Sequence, residues 1–292
     1  MKRKLFCEIS PLTYAISEKK CIAVRTVKNL LTEHHFASTK SEEPLPFCIY
    51  KHNSLIRRRL GNVNMQLQEN KAVNLGIAAP KIDKVLIRPG ETFSFWHLVG
   101  KTSAKKGYKE GLTISSDKTQ PGLGGGMCQM TNLIHWMILH SDLDIVVHHH
   151  HDRFDLFPDF KRTIPFGTGT SIMYNYLDYR FKNNTKLTYQ LIIYTTDEYL
   201  CGELRANHRQ KCKYHIVAEN EFFSREHGEV FRNGEVYRIK IDCRTGEQLE
   251  KTLIRRNHAK PCYDTSGLEI IDMDAADGSA APAGQTGSTE AE

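Results

Sequence analysis

The chain offers chemistry at one cysteine and one run of histidines. Cys128 closes the sequence Gly124-Gly125-Gly126-Met127-Cys128, with Gln129 directly after it. From there Met130, Leu133, Ile134, Met137 and Ile138 recur at the spacing of one buried helical stripe. Cys128 lies off that stripe, at about the first turn of the helix it predicts. A thiol there meets backbone N–H groups that lack helical acceptors and the positive end of the helix dipole, both of which favour the thiolate. A glycine-led approach also lets a substrate come close to bare backbone. This is how a cysteine nucleophile is presented. Gly124, Gly125, Gly126, Met127 and Gln129 are then the candidate binders of a carboxylate or a developing oxyanion. The loop lacks both the Gly-Lys-Ser/Thr ending of a P-loop and the G-x-G-x-x-G phasing of a dinucleotide site, so nucleotide binding is a poor fit. The alternative for Cys128 is a buried core thiol.

A nucleophile needs a base near it in space. His135 shares the helical face of Cys128 but stands seven residues on, about 10 Å along the axis at 1.5 Å per residue, too far for a direct hydrogen bond. His148-His149-His150-His151-Asp152 is the better supply. In an extended strand alternate side chains share a side, so His149 and His151 form one set and His148 and His150 the other. One set could face the cysteine, with Asp152 or a backbone carbonyl fixing the tautomer; His149 and His151 are the expected candidates. Two other readings stay open: a transition-metal site that includes Cys128, and a solvated cluster with no role. That only two alternate positions can point inward argues against a four-histidine metal site, and neither metal nor cofactor is expected.

The elements that must position these groups can be read from pattern. Residues 17–36 read as a basic helix whose apolar positions include Val24, Val27, Leu30 and Leu31. It is either a surface helix packed on the protein or a peripheral contact with an anionic membrane. Residues 62–79 predict a second helix ended by Pro80. Residues 85–95 read as a hairpin around Arg88-Pro89-Gly90-Glu91, and residues 96–111 as a basic loop or short helix bordering the cysteine. After the central helix, residues 143–147 predict a buried strand leading into the histidines. Residues 174–182 and 187–195 flank Asn183-Asn184-Thr185 as an antiparallel hairpin, and Asn233-Gly234 is a strong hairpin signal. Helices and strands segregate, so the predicted class is α+β, with N-terminal helices, a central helix carrying the GGGMCQ motif at its N-terminus and a β-rich antiparallel C-terminal half. Three parts are expected: an N-terminal helical and basic segment (1–60), an α+β domain (61–260) and a disordered acidic tail (264–292).

Composition narrows the partners. The 292 residues carry a formal net charge of +6, and the stretch after Gly267 holds acids but no Lys or Arg, so the remainder is more basic still. That suits an anionic partner. Arg57-Arg58-Arg59 is too short a basic run, and too poor in neighbouring aromatics, for nucleic-acid binding, which is not expected. The eight cysteines form no C-x-x-C pair. Met1-Lys2-Arg3-Lys4 resembles the start of a signal peptide, but Glu8 and Pro11 cut short the apolar residues next to it, and no stretch approaches the roughly 20 residues of a membrane span. The expected setting is the cytoplasm, with free thiols.

Taken together in order and spacing, Pro89-Gly90-Glu91-Thr92-Phe93-Ser94-Phe95, Gly107-Tyr108-Lys109, Gly124-Gly125-Gly126-Met127-Cys128-Gln129, the His-x-His of His149 and His151, and residues 174–185 resemble the VanW family. The signature motifs fall within roughly 70 to 190. The stretches 101–112 and 157–178 are similar to the short family members that accompany B-type vancomycin-resistance clusters. Met130-Thr131-Asn132-Leu133 stands where the family commonly has a small-polar run. The resemblance implies a role at the bacterial cell wall in glycopeptide resistance. Its expected partners are peptidoglycan stem peptides or their precursors, and other resistance proteins. It further implies an L,D-transpeptidase-like acyl transfer in which Cys128 attacks the stem-peptide amide and His149 or His151 acts as base and then acid. A non-catalytic module that binds such precursors, or a partner resistance enzyme, is the alternative.

Overall fold

The structure is a computed structural model and describes residues 5–32, 35–57, 64–115, 118–150, 154–155 and 164–274. His151, Asp152 and the acidic stretch 275–292 lie outside the described residues. In chain order the elements are α1 (Pro11–Leu31), β1 (Phe47–Leu55), α2 (Met65–Ile82), β2 (Val85–Ile87), β3 (Thr92–Ser94), α3 (Phe95–Val99), β4 (Glu110–Ser115), β5 (Lys118–Leu123), α4 (Met127–Leu139) and β6 (Asp144–Val147). Next come β7 (Phe154–Asp155), β8 (Arg180–Lys182), β9 (Tyr189–Thr195), β10 (Tyr199–Ala206), β11 (Cys212–Glu226), β12 (Glu229–Asp242), β13 (Gln248–Pro261) and β14 (Ile270–Asp272). This is the α+β class, with strands dominating the C-terminal half.

A four-stranded antiparallel sheet, β1-β10-β9-β2, forms the floor of the core. α4 lies across β1 and β10, and α2 across β9. A methyl group at Gly202 of β10 would come within 2.9 Å of Leu133 and 2.8 Å of Met137, so the missing side chain is what lets α4 sit this close. The apolar stripe read from the sequence is the face that does the packing: Met130, Ile134, Met137 and Ile138 are fully buried. Beside this layer runs a second small sheet, β3-β8-β6, whose Phe93 and Phe181 stack at 4.6 Å. The long strands β11, β12 and β13 build a separate sheet, extended by parallel pairing with β14 at one edge and β7 at the other. Arg238 of β12 fastens that sheet to the end of α4 by donating to the carbonyl oxygens of Leu139 and Ser141.

Several local expectations give way to long-range pairing. β2 and β3 do not form a hairpin. The Gly90 N–H donates to the Asn183 carbonyl and the Asn183 N–H to the Glu91 carbonyl, so the turn is anchored to the end of β8 and its two arms enter different sheets. The same anchoring separates β8 from β9 across Asn183, whose side-chain amide bridges the carbonyls of Ile87 and Leu187. Asn233-Gly234 is no turn either. β12 runs straight through it, paired on both sides, and the reversal lies at His227-Gly228, where both residues have positive φ. Pro80 falls inside the last turn of α2, which continues to Ile82. β6 is a half-exposed edge strand rather than a buried one. β1, assigned by sequence to the N-terminal segment, belongs to the main sheet. The stretch expected to be disordered from residue 264 contributes β14, because the backbone of 270–272 finds an open edge on β11.

Candidate functional site

α4 starts where sequence places it, with Gly126 as its N-cap residue at φ 96°. The reason for the glycines is different from the one expected. A Cβ on Gly125 would fall 2.2 Å from the carbonyl carbon of Gly111, and one on Gly126 would fall 2.2 Å from the Lys71 side chain. The close approach is therefore made by the protein's own β4 and α2, not held open for a ligand. The N–H groups of Gly124, Gly125 and Gln129 are taken by the carbonyls of Lys109, Gly122 and Gly126. Met127 is buried in the core, and the Gln129 amide donates to the Ser54 hydroxyl and the Leu55 carbonyl, both at 2.9 Å, tying the helix start to the end of β1. Of the N–H groups a helix start leaves without intrahelical acceptors, that of Cys128 turns to its own sulfur, which leaves those of Gly126 and Met127.

Cys128 is half-buried on the first turn of α4, and its sulfur is met by the backbone N–H of Ile172 and by its own N–H. Burial outweighs both and pushes the thiol pKa up. Burial thus works against the thiolate that the helix start favours, and the resting group is a neutral thiol.

Residues 169–172 form an extended strap whose amides alternate between two walls. The Thr170 N–H and hydroxyl both donate to Asn132 Oδ1 on α4, at 2.7 and 2.8 Å. The Ser171 N–H donates to the His149 carbonyl at 2.7 Å, on the histidine side. The Ile172 N–H then returns to α4 and meets Cys128. Thr131 adds a hydroxyl contact to Thr170, and His148 Nε2 lies 3.2 Å from the Gly169 carbonyl. Thr131 and Asn132 are thus what fixes the strap beside the thiol. Sequence reasoning missed that role; the only signal was their polarity in an otherwise apolar helix.

His148 and His150 share one side, as alternation predicts, and that side turns toward α4; His151, of the expected set, lies outside the described residues. His148 packs on His135 with ring centroids 4.1 Å apart and on His150 at 3.9 Å. His135, fully enclosed, shares a 3.1 Å hydrogen bond with the Tyr179 hydroxyl, and burial together with the neighbouring His148 and His150 holds its pKa well below the ordinary imidazole value. His149 turns away, toward Arg25 of α1 and Asp178; burial and the Arg25 charge lower its pKa, and its Nε2 is buried without a hydrogen-bond partner. Asp178 is itself saturated, accepting from Ser94 Oγ, the N–H groups of Trp96 and Tyr179, and Arg180 Nε. Among the described residues no hydrogen bond or ring contact joins Cys128 to a histidine, and no group of three or more His, Cys, Asp or Glu side chains is arranged to hold a metal ion.

Comparison with known proteins covers this same region. The model of the family described as VanW like protein matches residues 70–205. Over 228 residues the chain is 33% identical to vancomycin B-type resistance protein VanW of Enterococcus faecalis, a match spanning 78% of this chain and 82% of that one. The chain belongs to the VanW family. A second relative, the uncharacterized protein YoaR of Bacillus subtilis, is 30% identical over 115 residues, 39% of this VanW-family chain and 36% of YoaR. No solved structure matches. The family region runs from α2 to β10, so the glycine loop, Cys128, the strap, the four histidines and the Asp178 hub all fall within VanW sequence. α1 and the β11–β13 sheet lie outside it.

Proposed function

We propose that this VanW-family protein serves glycopeptide resistance by acting on peptidoglycan stem peptides or their precursors, through acyl transfer at Cys128. The observation that carries the reading is the pairing of the Cys128 sulfur with the Ile172 N–H at the open end of α4, because one strap holds both the thiol and the histidine strand. On this reading the neutral thiol loses its proton to an imidazole only as substrate arrives. That imidazole is supplied by the histidine strand, whose His149 carbonyl and His148 ring the strap holds.

The sulfur attacks the carbonyl carbon of the amide that precedes the terminal D-residue. The oxygen takes up the negative charge and is met by the N–H groups of Gly126 to Cys128. Collapse breaks the C–N bond, the imidazolium returns the proton to the departing amine, and a thioester remains on Cys128. Water or an acceptor amine then takes the acyl group and regenerates the thiol. In the cytoplasm the substrates are lipid- or nucleotide-linked precursors.

A second reading, a non-catalytic module that binds precursors or a partner resistance enzyme, is favoured by the raised thiol pKa and by the use of the glycine amides within the fold. Incubation of wild type and Cys128→Ala with muropeptides and UDP-linked precursors, read by mass spectrometry, separates the two. Loss of one terminal D-residue with the wild type alone supports acyl transfer. No mass change with either protein, combined with measurable precursor binding, supports the module.

A further inference from the structure

α1 is attached to the rest of the protein by its polar side. Asn29 Oδ1 accepts from Arg180 at 3.0 Å, Thr26 Oγ1 accepts from Asn175 at 2.8 Å, and Arg25 lies beside Arg180 and Asp178. A helix repeats every 3.6 residues, so Leu12, Ile16, Val27 and Leu30 project from the opposite side. No residue of α1 is buried, and Leu12, Val27 and Leu30 are 70%, 53% and 80% exposed. The seven most exposed large apolar side chains among the described residues all lie between residues 5 and 31. This inverts the ordinary surface helix, whose apolar stripe faces the core.

The charges on the outward side have one sign. Lys19 and Lys20 are exposed along or beside the stripe and Lys28 is exposed on the helix flank, while the helix's only acid, Glu18, lies on the docked side near Tyr176. We propose that α1 lies in the plane of an anionic lipid surface, its leucines and valines entering the acyl boundary and its lysines reaching the headgroups. A second copy of the chain is the poorer occupant. Two such faces packed antiparallel would set lysine against lysine, with no acid on either to meet them. Because the docked side of α1 touches Arg180 and neighbours His149, a bound surface stands about one helix diameter, roughly 10 Å, from the histidine strand.

Co-sedimentation of the full chain with phosphatidylcholine vesicles, with and without phosphatidylglycerol, tests this. The expected result is binding that requires phosphatidylglycerol and weakens as salt rises. It should be more than roughly tenfold weaker for the double variant Val27→Asp, Leu30→Asp, whose wild-type side chains pack on nothing that folding needs. Unaltered circular dichroism and thermal midpoint check that the variant folds. Equal binding by variant and wild type, or no binding by wild type, overturns the proposal. So does a dimer, seen by sedimentation equilibrium, that the variant dissolves. The proposal is independent of the acyl-transfer reading: Cys128→Ala is expected to bind vesicles as wild type does, and either idea can fail alone.

Discussion

The Ile172 N–H donates to the Cys128 sulfur, and the N–H of the preceding residue, Ser171, donates to the His149 carbonyl. One short strap therefore links the thiol on α4 with the backbone of the histidine strand, in a region that matches the VanW family. Its grip comes from Asn132, which receives two hydrogen bonds from Thr170.

Replacing Asn132 with Ala leaves the Thr170 N–H and hydroxyl without their acceptor. Such a loss costs about 1–3 kcal/mol. Urea unfolding should show that destabilisation, together with a change in Cys128 alkylation rate as the strap loosens. A variant within about 0.5 kcal/mol of wild type and with unchanged alkylation would show that the strap is held by something else.

Burial raises the Cys128 pKa, so its alkylation by iodoacetamide should still be climbing above pH 8.5, about the pKa of an ordinary thiol. Stopped-time alkylation followed by peptide mass mapping across pH 6 to 10 (roughly the thiol range) gives the midpoint. A midpoint near neutrality would mean that the resting group is a thiolate after all.

His140 stacks on Tyr50 at 3.8 Å and donates from Nδ1 to the Trp136 carbonyl; burial, opposed by that bond, holds its pKa down to about 4. The unfolded chain binds this proton near pH 6.5, the folded one only near 4. Stability contributed by the neutral ring is therefore complete above pH 6.5 and is lost as pH falls toward 4, by up to about 3 kcal/mol. Urea midpoints from pH 7 to 4 should fall, and His140→Gln should flatten that slope. An NMR titration placing the His140 ring near 6.5 in the folded protein would contradict this.

Gly125→Ala places a methyl against the Gly111 backbone, where neither side can yield by rotating a side chain. Overpacking of that kind costs roughly 1–3 kcal/mol or more. Gly267→Ala, with nothing within 4 Å of the added carbon, should stay within about 0.5 kcal/mol of wild type. Equal thermal midpoints for the two variants would refute the close approach of the Gly111 and Gly125 backbones.

Much of the fold was legible because some signals are local. The stripe of α4, its start at the glycines and the sharing of one side by His148 and His150 come from local pattern, and the structure has them. What failed depended on partners far along the chain. Asn233-Gly234 has the composition of a tight turn, yet hydrogen bonds from β11 and β13 on its two flanks hold it extended. The apolar stripe of α1 was readable; which side faces the protein was not, since polar contacts from 175 and 180 decide it. Likewise, alternation sorted the histidines into two sets, and only the placement of His135 and Tyr179 reveals that His148 and His150 turn toward α4.

The strap also carries a constraint on evolution. Its successive amides serve α4, the histidine strand and α4 again, so its function resides in a parity. Inserting or deleting one residue between Thr170 and Ile172 would exchange the two walls, turning an amide away from the sulfur and flipping the side chains with it. Inside this segment the number of residues matters to the geometry as much as the identity of the cysteine.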